Sequence, residues 1–160
     1  MKFVESDDRL GICPAPRVSN NGRNSVVVCH GDKVVFRAFT SATGIELFIS
    51  DGTSTGTTLL KDIRSGTSNS SPSGLVVCGN TLYLAAGDTK NGIELWKSDL
   101  TTAGTVMVKD IHAGSSGSFP RNLTCCDGRL FFTATPRHYN PRKRDKEGDL
   151  LVASMDDQAT

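Results

Sequence analysis

The sequence predicts an all-β fold built from repeated units, and three observations indicate it. Residues 44–66 (GIELFISDGTSTGTTLLKDIRSG) recur 48 residues later as residues 92–114 (GIELWKSDLTTAGTVMVKDIHAG), with 13 of 23 positions identical. A fixed period of this size is typical of repeat architectures, in which each unit packs on the next. Short apolar runs alternate with Gly, Asn and Asp turns, and no window sustains the 3.6-residue period of a helix.

The second unit shows four strand-like runs, and four strands in about 48 residues is the size of one β-propeller blade. The first unit begins in the same way, with runs at 26–29 and 34–39 around the Gly31-Asp32 turn. We therefore expect a propeller-like fold of about three four-stranded blades of roughly 48 residues. The predicted strands of the second unit are residues 75–78, 81–86, 93–97 and 106–111.

The units divide the chain into four segments. Residues 1–25 form a partial blade, the end strands of a degenerate repeat, since FVESDD at 3–8 resembles ELWKSD at 94–99. Closed propellers usually have four to eight blades, and fewer blades leave open sheet edges. We therefore expect a piece of a longer propeller, or several chains that close one together. The other segments are repeat 1 (26–73), repeat 2 (74–121) and a partial repeat 3 (122–160) with a basic insertion at 136–148.

The most similar part of each copy combines an apolar pair with a turn motif. Adjacent residues of a strand point to opposite faces, so the pair would pack on both neighbouring blades. In SDGTxxGT, the aspartate is expected to accept a hydrogen bond from the amide two residues on, and the glycine to supply a positive φ. Lys61-Asp62 and Lys109-Asp110 are expected to tie blades together. The apolar pairs are Leu47 with Phe48 and Leu95 with Trp96.

These residues resemble the ELWxxDGT repeat family, whose β-propeller-like repeats are common in bacterial surface and secreted proteins. The matching segments are ELFISDGT at 46–53 and ELWKSDLT at 94–101, each followed by Gly-Thr and Lys-Asp-Ile. Phe48 replaces the tryptophan and Leu100 the glycine of the motif. The resemblance implies a fold and carries over no catalytic residues. It weakly favours a secreted or cell-surface setting, although the N-terminus shows no apolar signal-peptide region and the localisation stays open.

Bulk composition excludes few functions. The formal net charge of the 160 residues is +1, which gives no global field toward nucleic acid or an acidic membrane surface. No apolar run approaches the length of a membrane span. The five cysteines leave at least one thiol unpaired within the chain, and we interpret them as small apolar residues of buried strands. They are Cys13, Cys29, Cys78, Cys125 and Cys126.

Most polar residues of the repeat are interpreted as turn and scaffold residues. Recurring acids offer an alternative, a calcium site, because propeller loops sometimes gather carboxylates; no Asp-x-Asp-x-Asp spacing supports it, and we predict no cofactor. Residues 52–56 match G-x-S-x-G by chance, because a strand rather than a helix follows. The recurring acids are Glu46, Asp51, Asp62, Glu94, Asp99 and Asp110.

The segment that breaks the repeat is the best candidate for chain-specific binding. Insertions in repeat proteins often lie on the binding face, and this one would suit an anionic partner. We predict a non-enzymatic binding or structural module that associates with a protein partner or with itself. The alternatives are a propeller glycoside hydrolase or lyase, or a nucleic-acid- or glycan-associated subunit. The candidate binding residues within 137–146 are Arg137, Tyr139, Arg142, Lys143, Arg144 and Lys146.

Overall fold

The computed structural model describes residues 26–135 and the backbone of a short strand at 155–156, and this part of the chain is all-β without a helix. The prediction of an all-β fold is confirmed. The strands are β1 (Val27–His30), β2 (Lys33–Thr40), β3 (Gly44–Ser50), β4 (Thr58–Lys61), β5 (Ser73–Cys78), β6 (Thr81–Asp88), β7 (Gly92–Ser98), β8 (Val106–Lys109), β9 (Arg121–Cys126), β10 (Arg129–Thr133) and β11 (Met155–Asp156).

The strands form three antiparallel sheets, each a simple up-and-down meander. The first sheet has the order β1-β2-β3-β4 and the second the order β5-β6-β7-β8. In the third sheet β10 pairs with β9 on one side and with β11 on the other. β11 therefore takes the place that β7 has in the second sheet, and the register matches, because Leu130 pairs with Met155 as Leu82 pairs with Ser98.

Corresponding strands of the first two sheets begin and end 48 residues apart, and β5 and β9 keep the same interval. The predicted strands were correct in number and order but not at every end. β8 ends at Lys109 rather than at residue 111, because the amide of Ile111 donates to the side chain of Glu94 instead of to a neighbouring strand.

The sheets pack face to face through two apolar cores. One core lies between the first and second sheets and includes Leu47 and Trp96. The other lies between the second and third sheets and includes Leu95 and Phe132. Leu95 and Trp96 thus pack on opposite neighbours, which confirms the prediction made from their adjacent positions in one strand.

Both faces of the second sheet are covered, so the stack has its interior there. No sheet among the described residues closes on itself, so the propeller remains a proposal. Nor does the described part of the chain contain a helix long and apolar enough to cross a membrane.

Candidate functional site

Two glutamates are the most deeply buried charged residues of the described chain. Glu46 and Glu94 have no exposed surface, and each accepts hydrogen bonds from the loop that leads to the next sheet. The carboxylate of Glu46 accepts from the amides of Ile63 (2.9 Å), Arg64 (3.4 Å) and Ser70 (3.0 Å), and from the hydroxyl of Ser70 (2.6 Å). Four donors satisfy the carboxylate where water cannot reach it.

The second copy repeats this anchor. Glu94 accepts from the amides of Ile111 (3.3 Å), His112 (3.1 Å) and Ser118 (2.9 Å), and from the hydroxyl of Ser118. Because both oxygens of each carboxylate already have protein donors, neither glutamate is available as a calcium ligand. Among the described residues no group of three or more His, Cys, Asp and Glu side chains is placed to hold a metal ion.

The aspartates of the SDGT motif form the predicted turns. The carboxylate of Asp51 accepts from the amide (2.9 Å) and the hydroxyl (2.7 Å) of Thr53, and Asp99 does the same with Thr101 at the same distances. The hydroxyl and then the amide of that threonine hold the pKa of Asp51, and likewise the pKa of Asp99, below its ordinary value of 3.8. The prediction of a turn aspartate is confirmed in both copies.

The turn also explains the glycines of the motif. Gly52 has a φ of 90°, and Leu100, its counterpart, adopts 70°. A left-handed leucine costs on the order of 1 kcal/mol, and contacts of Leu100 with the core between the first two sheets offset that cost. A side chain at Gly104 would collide with the carboxylate of Asp99, so this glycine keeps room for the turn.

The G-x-S-x-G match at 52–56 has no catalytic geometry. Ser54 lies exposed in the turn, and the segment that follows is β4. The described histidines lie apart from it: the ring of His30 contacts the carbonyl oxygen of Asn80 at 2.9 Å, and the amide of His112 is bound to Glu94. No nucleophile–base pair is formed between these residues.

Polar contacts join the first sheet to the second, as expected for the Lys-Asp segment. The ammonium of Lys61 donates to the carbonyl oxygen of Thr102 at 3.1 Å, and the hydroxyl of Thr102 donates to the carbonyl oxygen of Leu60 at 2.8 Å. Asp62 contributes no ion pair within the 4.0 Å limit among the described residues, and its Oδ1 has no hydrogen-bond partner there.

The interpretation of the cysteines as small apolar residues was wrong for Cys78 and Cys125, which form a disulfide between β5 and β9. Cys78 and Cys126 occupy corresponding places in successive units, but the bond goes to the residue before Cys126, because that side chain faces the second sheet. Cys29 is disulfide-bonded as well. Cys126 is exposed and has a free thiol.

The first sheet presents an apolar row to the outside, on the face away from the second sheet. The row follows one register line across the four strands, since Val27 pairs with Phe36, Phe36 with Phe48 and Phe48 with Leu59. The two phenyl rings stack with centroids 6.2 Å apart. Val27 is 50 % exposed and Leu59 36 %.

The structure brings together some of the predicted residues and not others. The scaffold acids lie where the sequence predicts, but the six candidate binding residues between Arg137 and Lys146 lie outside the described residues. Sequence reasoning missed Ser70 and Ser118, which complete the glutamate anchors. Their signal was available, because both are serines two residues before a proline and stand 48 positions apart.

Comparisons of the chain with protein-family models, with curated proteins and with solved structures gave no match. Inferences about function therefore rest on the geometry described above.

Proposed function

We propose that this chain is a non-enzymatic structural or binding module whose sheets form part of a propeller-like assembly. The observation that carries the proposal is the burial of Glu46 and Glu94, each bound to four protein donors in the same arrangement. The acids that recur in the repeat are used to hold its loops in place.

A glycoside hydrolase of the kind considered above requires two carboxyl groups that flank a bound sugar. Glu46 and Glu94 are closed off from any ligand, and Asp51 and Asp99 accept from the threonines of their own turns. This use of the carboxylates favours a scaffold over an enzyme. Binding then falls to surfaces outside these motifs, the outer row of the first sheet and the basic segment 137–146.

The experiment is a measurement of the unfolding free energy of Glu94→Gln. An amide nitrogen in place of one carboxylate oxygen would face the amides of His112 and Ser118 donor to donor, so we expect a loss of about 2–4 kcal/mol. Denaturant unfolding followed by the fluorescence of Trp96 gives the value. Asp32→Asn is the matched control, since the side chain of Asp32 is 84 % exposed and its loss should change stability by less than about 0.5 kcal/mol.

The opposite result is equally informative. Residues that serve catalysis are often held at a cost to stability, so their replacement leaves a protein equally stable or more stable. If Glu94→Gln unfolds at the same denaturant concentration as the parent, the glutamates are not structural anchors and the proposed scaffold function is wrong.

A further inference from the structure

Each sheet of the stack has two different faces. We call the face toward the preceding sheet the leading face and the face toward the following sheet the trailing face. The leading face of the second sheet, with Leu84 and Trp96, packs on the trailing face of the first, with Val35 and Leu47. The leading face of the third sheet, with Phe132, packs on the trailing face of the second. One mode of contact thus occurs twice within the chain.

The leading face of the first sheet is built in the same way as those two. Its apolar row is Val27, Phe36, Phe48 and Leu59, and Phe36, Phe48 and Leu59 correspond by the 48-residue interval to Leu84, Trp96 and Met107. In the second sheet that row lies against a neighbouring sheet. Among the described residues no sheet packs on the row of the first sheet, and its two ends are exposed.

The complementary face lies at the other end of the stack. Phe131 and Cys126 stand on the trailing side of the third sheet, at the positions that Tyr83 and Cys78 have in the second. In the second sheet Tyr83 and Cys78 are buried in the contact with the third. Phe131 is half-buried and Cys126 is exposed.

We infer that a second copy of this chain docks head to tail, with the trailing face of its third sheet on the leading row of the first sheet. The inference rests on the proposed function and names the partner. Its basis is continuity, since the docked faces extend the contact that already joins the three sheets. Such a heterologous contact makes a ring if the rotation closes, and two copies supply six sheets, within the usual range of closed propellers.

The internal contact predicts which residues meet across the new interface. His30 of the first sheet contacts the carbonyl oxygen of Asn80 in the second. By the 48-residue interval His30 corresponds to Cys126 two units on, and Asn80 corresponds to Asp32 one unit back. Cys126 of one copy should therefore lie beside Asp32 of the next.

The test is a cross-linking experiment that uses a short bis-maleimide, which leaves disulfides intact. A tagged Asp32→Cys, Cys126→Ser chain is mixed with an untagged parent chain that keeps Cys126. We expect a link between tagged and untagged chains, at least tenfold more abundant than with a tagged Val106→Cys, Cys126→Ser control. A yield at the control level overturns the inference, and so does a predominance of tagged–tagged links, which would show the first sheets meeting each other.

A second measurement uses no added cysteine. We expect light scattering to give the parent chain a mass of two copies, and Val27→Lys with Leu59→Lys to reduce it to one. Val106→Lys is the matched control, because Val106 is 40 % exposed and lies outside the row. A monomeric parent overturns the inference but leaves the proposed function standing if Glu94→Gln is destabilised. An unaffected Glu94→Gln overturns the proposed function whatever the mass.

Discussion

A buried carboxylate is stable in a protein only when donors replace the water that it loses. Glu46 obtains three amides and one hydroxyl from a single connecting loop, and Glu94 obtains the same set from the next. Each glutamate thereby fixes the course of the chain between two sheets. The Glu of the ELW motif is, in this chain, a structural residue with a definable task.

The turn aspartates give the stability of the chain a dependence on acid. Hydrogen bonds from Thr53 and Thr101 lower the pKa of Asp51 and the pKa of Asp99 in the folded chain. A depressed folded pKa means that their contribution is complete above the unfolded value of about 4 and is lost as pH falls through the folded value.

We therefore expect the thermal unfolding midpoint of the parent to fall more steeply below about pH 4 than that of Asp51→Asn, Asp99→Asn. The amide oxygens of the variant still accept from the turn but do not titrate. Calorimetry between pH 2 and pH 7 measures both profiles. Parallel profiles over this range would show that the two turns do not contribute to acid sensitivity.

At the scale of the elements, the disulfide between β5 and β9 shows how one strand meets its counterpart in the next sheet. By the 48-residue interval, Cys78 corresponds to His30 and Cys125 to Val77. β1 and β5 should therefore accept the same bridge between residues 30 and 77.

We predict that His30→Cys, Val77→Cys in a Cys126→Ser background forms a new disulfide. Its closed loop has the same length as the native one, 47 residues apart in sequence, so a stabilisation of about 2–4 kcal/mol is expected. Mass spectrometry of a non-reduced digest identifies the bond, and denaturant unfolding with and without reductant gives its effect. Free thiols at both positions after oxidation would mean that β1 and β5 do not meet as β5 and β9 do.

The sequence was sufficient for the strands because their signals are local. Alternating apolar residues and turn motifs such as Gly79-Asn80 predicted β5 and β6, and the strict interval predicted which face Leu95 and Trp96 use. The disulfide was not predictable in this way, because its choice of Cys125 over Cys126 depends on which residue of β9 faces the second sheet. That orientation is set by packing between sheets that lie 47 residues apart in sequence.

At the scale of the whole molecule, the stack has an interior sheet and two unlike ends. The leading row of the first sheet is apolar, whereas the trailing side of the third sheet also carries the exposed Thr124 beside Cys126. Such asymmetry suits head-to-tail growth better than pairing of like ends.

The basic segment adds a possible second contact, with an anion. We predict that Arg142→Gln, Lys143→Gln, Arg144→Gln lowers the salt concentration needed to elute the chain from a heparin column, because three charges attracted to sulfate are removed. The charge-matched control changes three exposed basic residues elsewhere to glutamine. An equal shift in the control would show that net charge alone governs retention. The control residues are Lys90, Lys97 and Arg121.

The central claim is that the recurring glutamates anchor the connecting loops, and amide hydrogen exchange followed by NMR tests it most directly. Arg64 and His112 lie outside the strands, and each has its amide bound to a buried glutamate. The account predicts that these amides exchange with the slow set of β6 and β7, and that exposed loop amides such as Ser115 exchange fast. If Arg64 and His112 exchange as fast as Ser115, the glutamates do not hold the loops and the claim is contradicted.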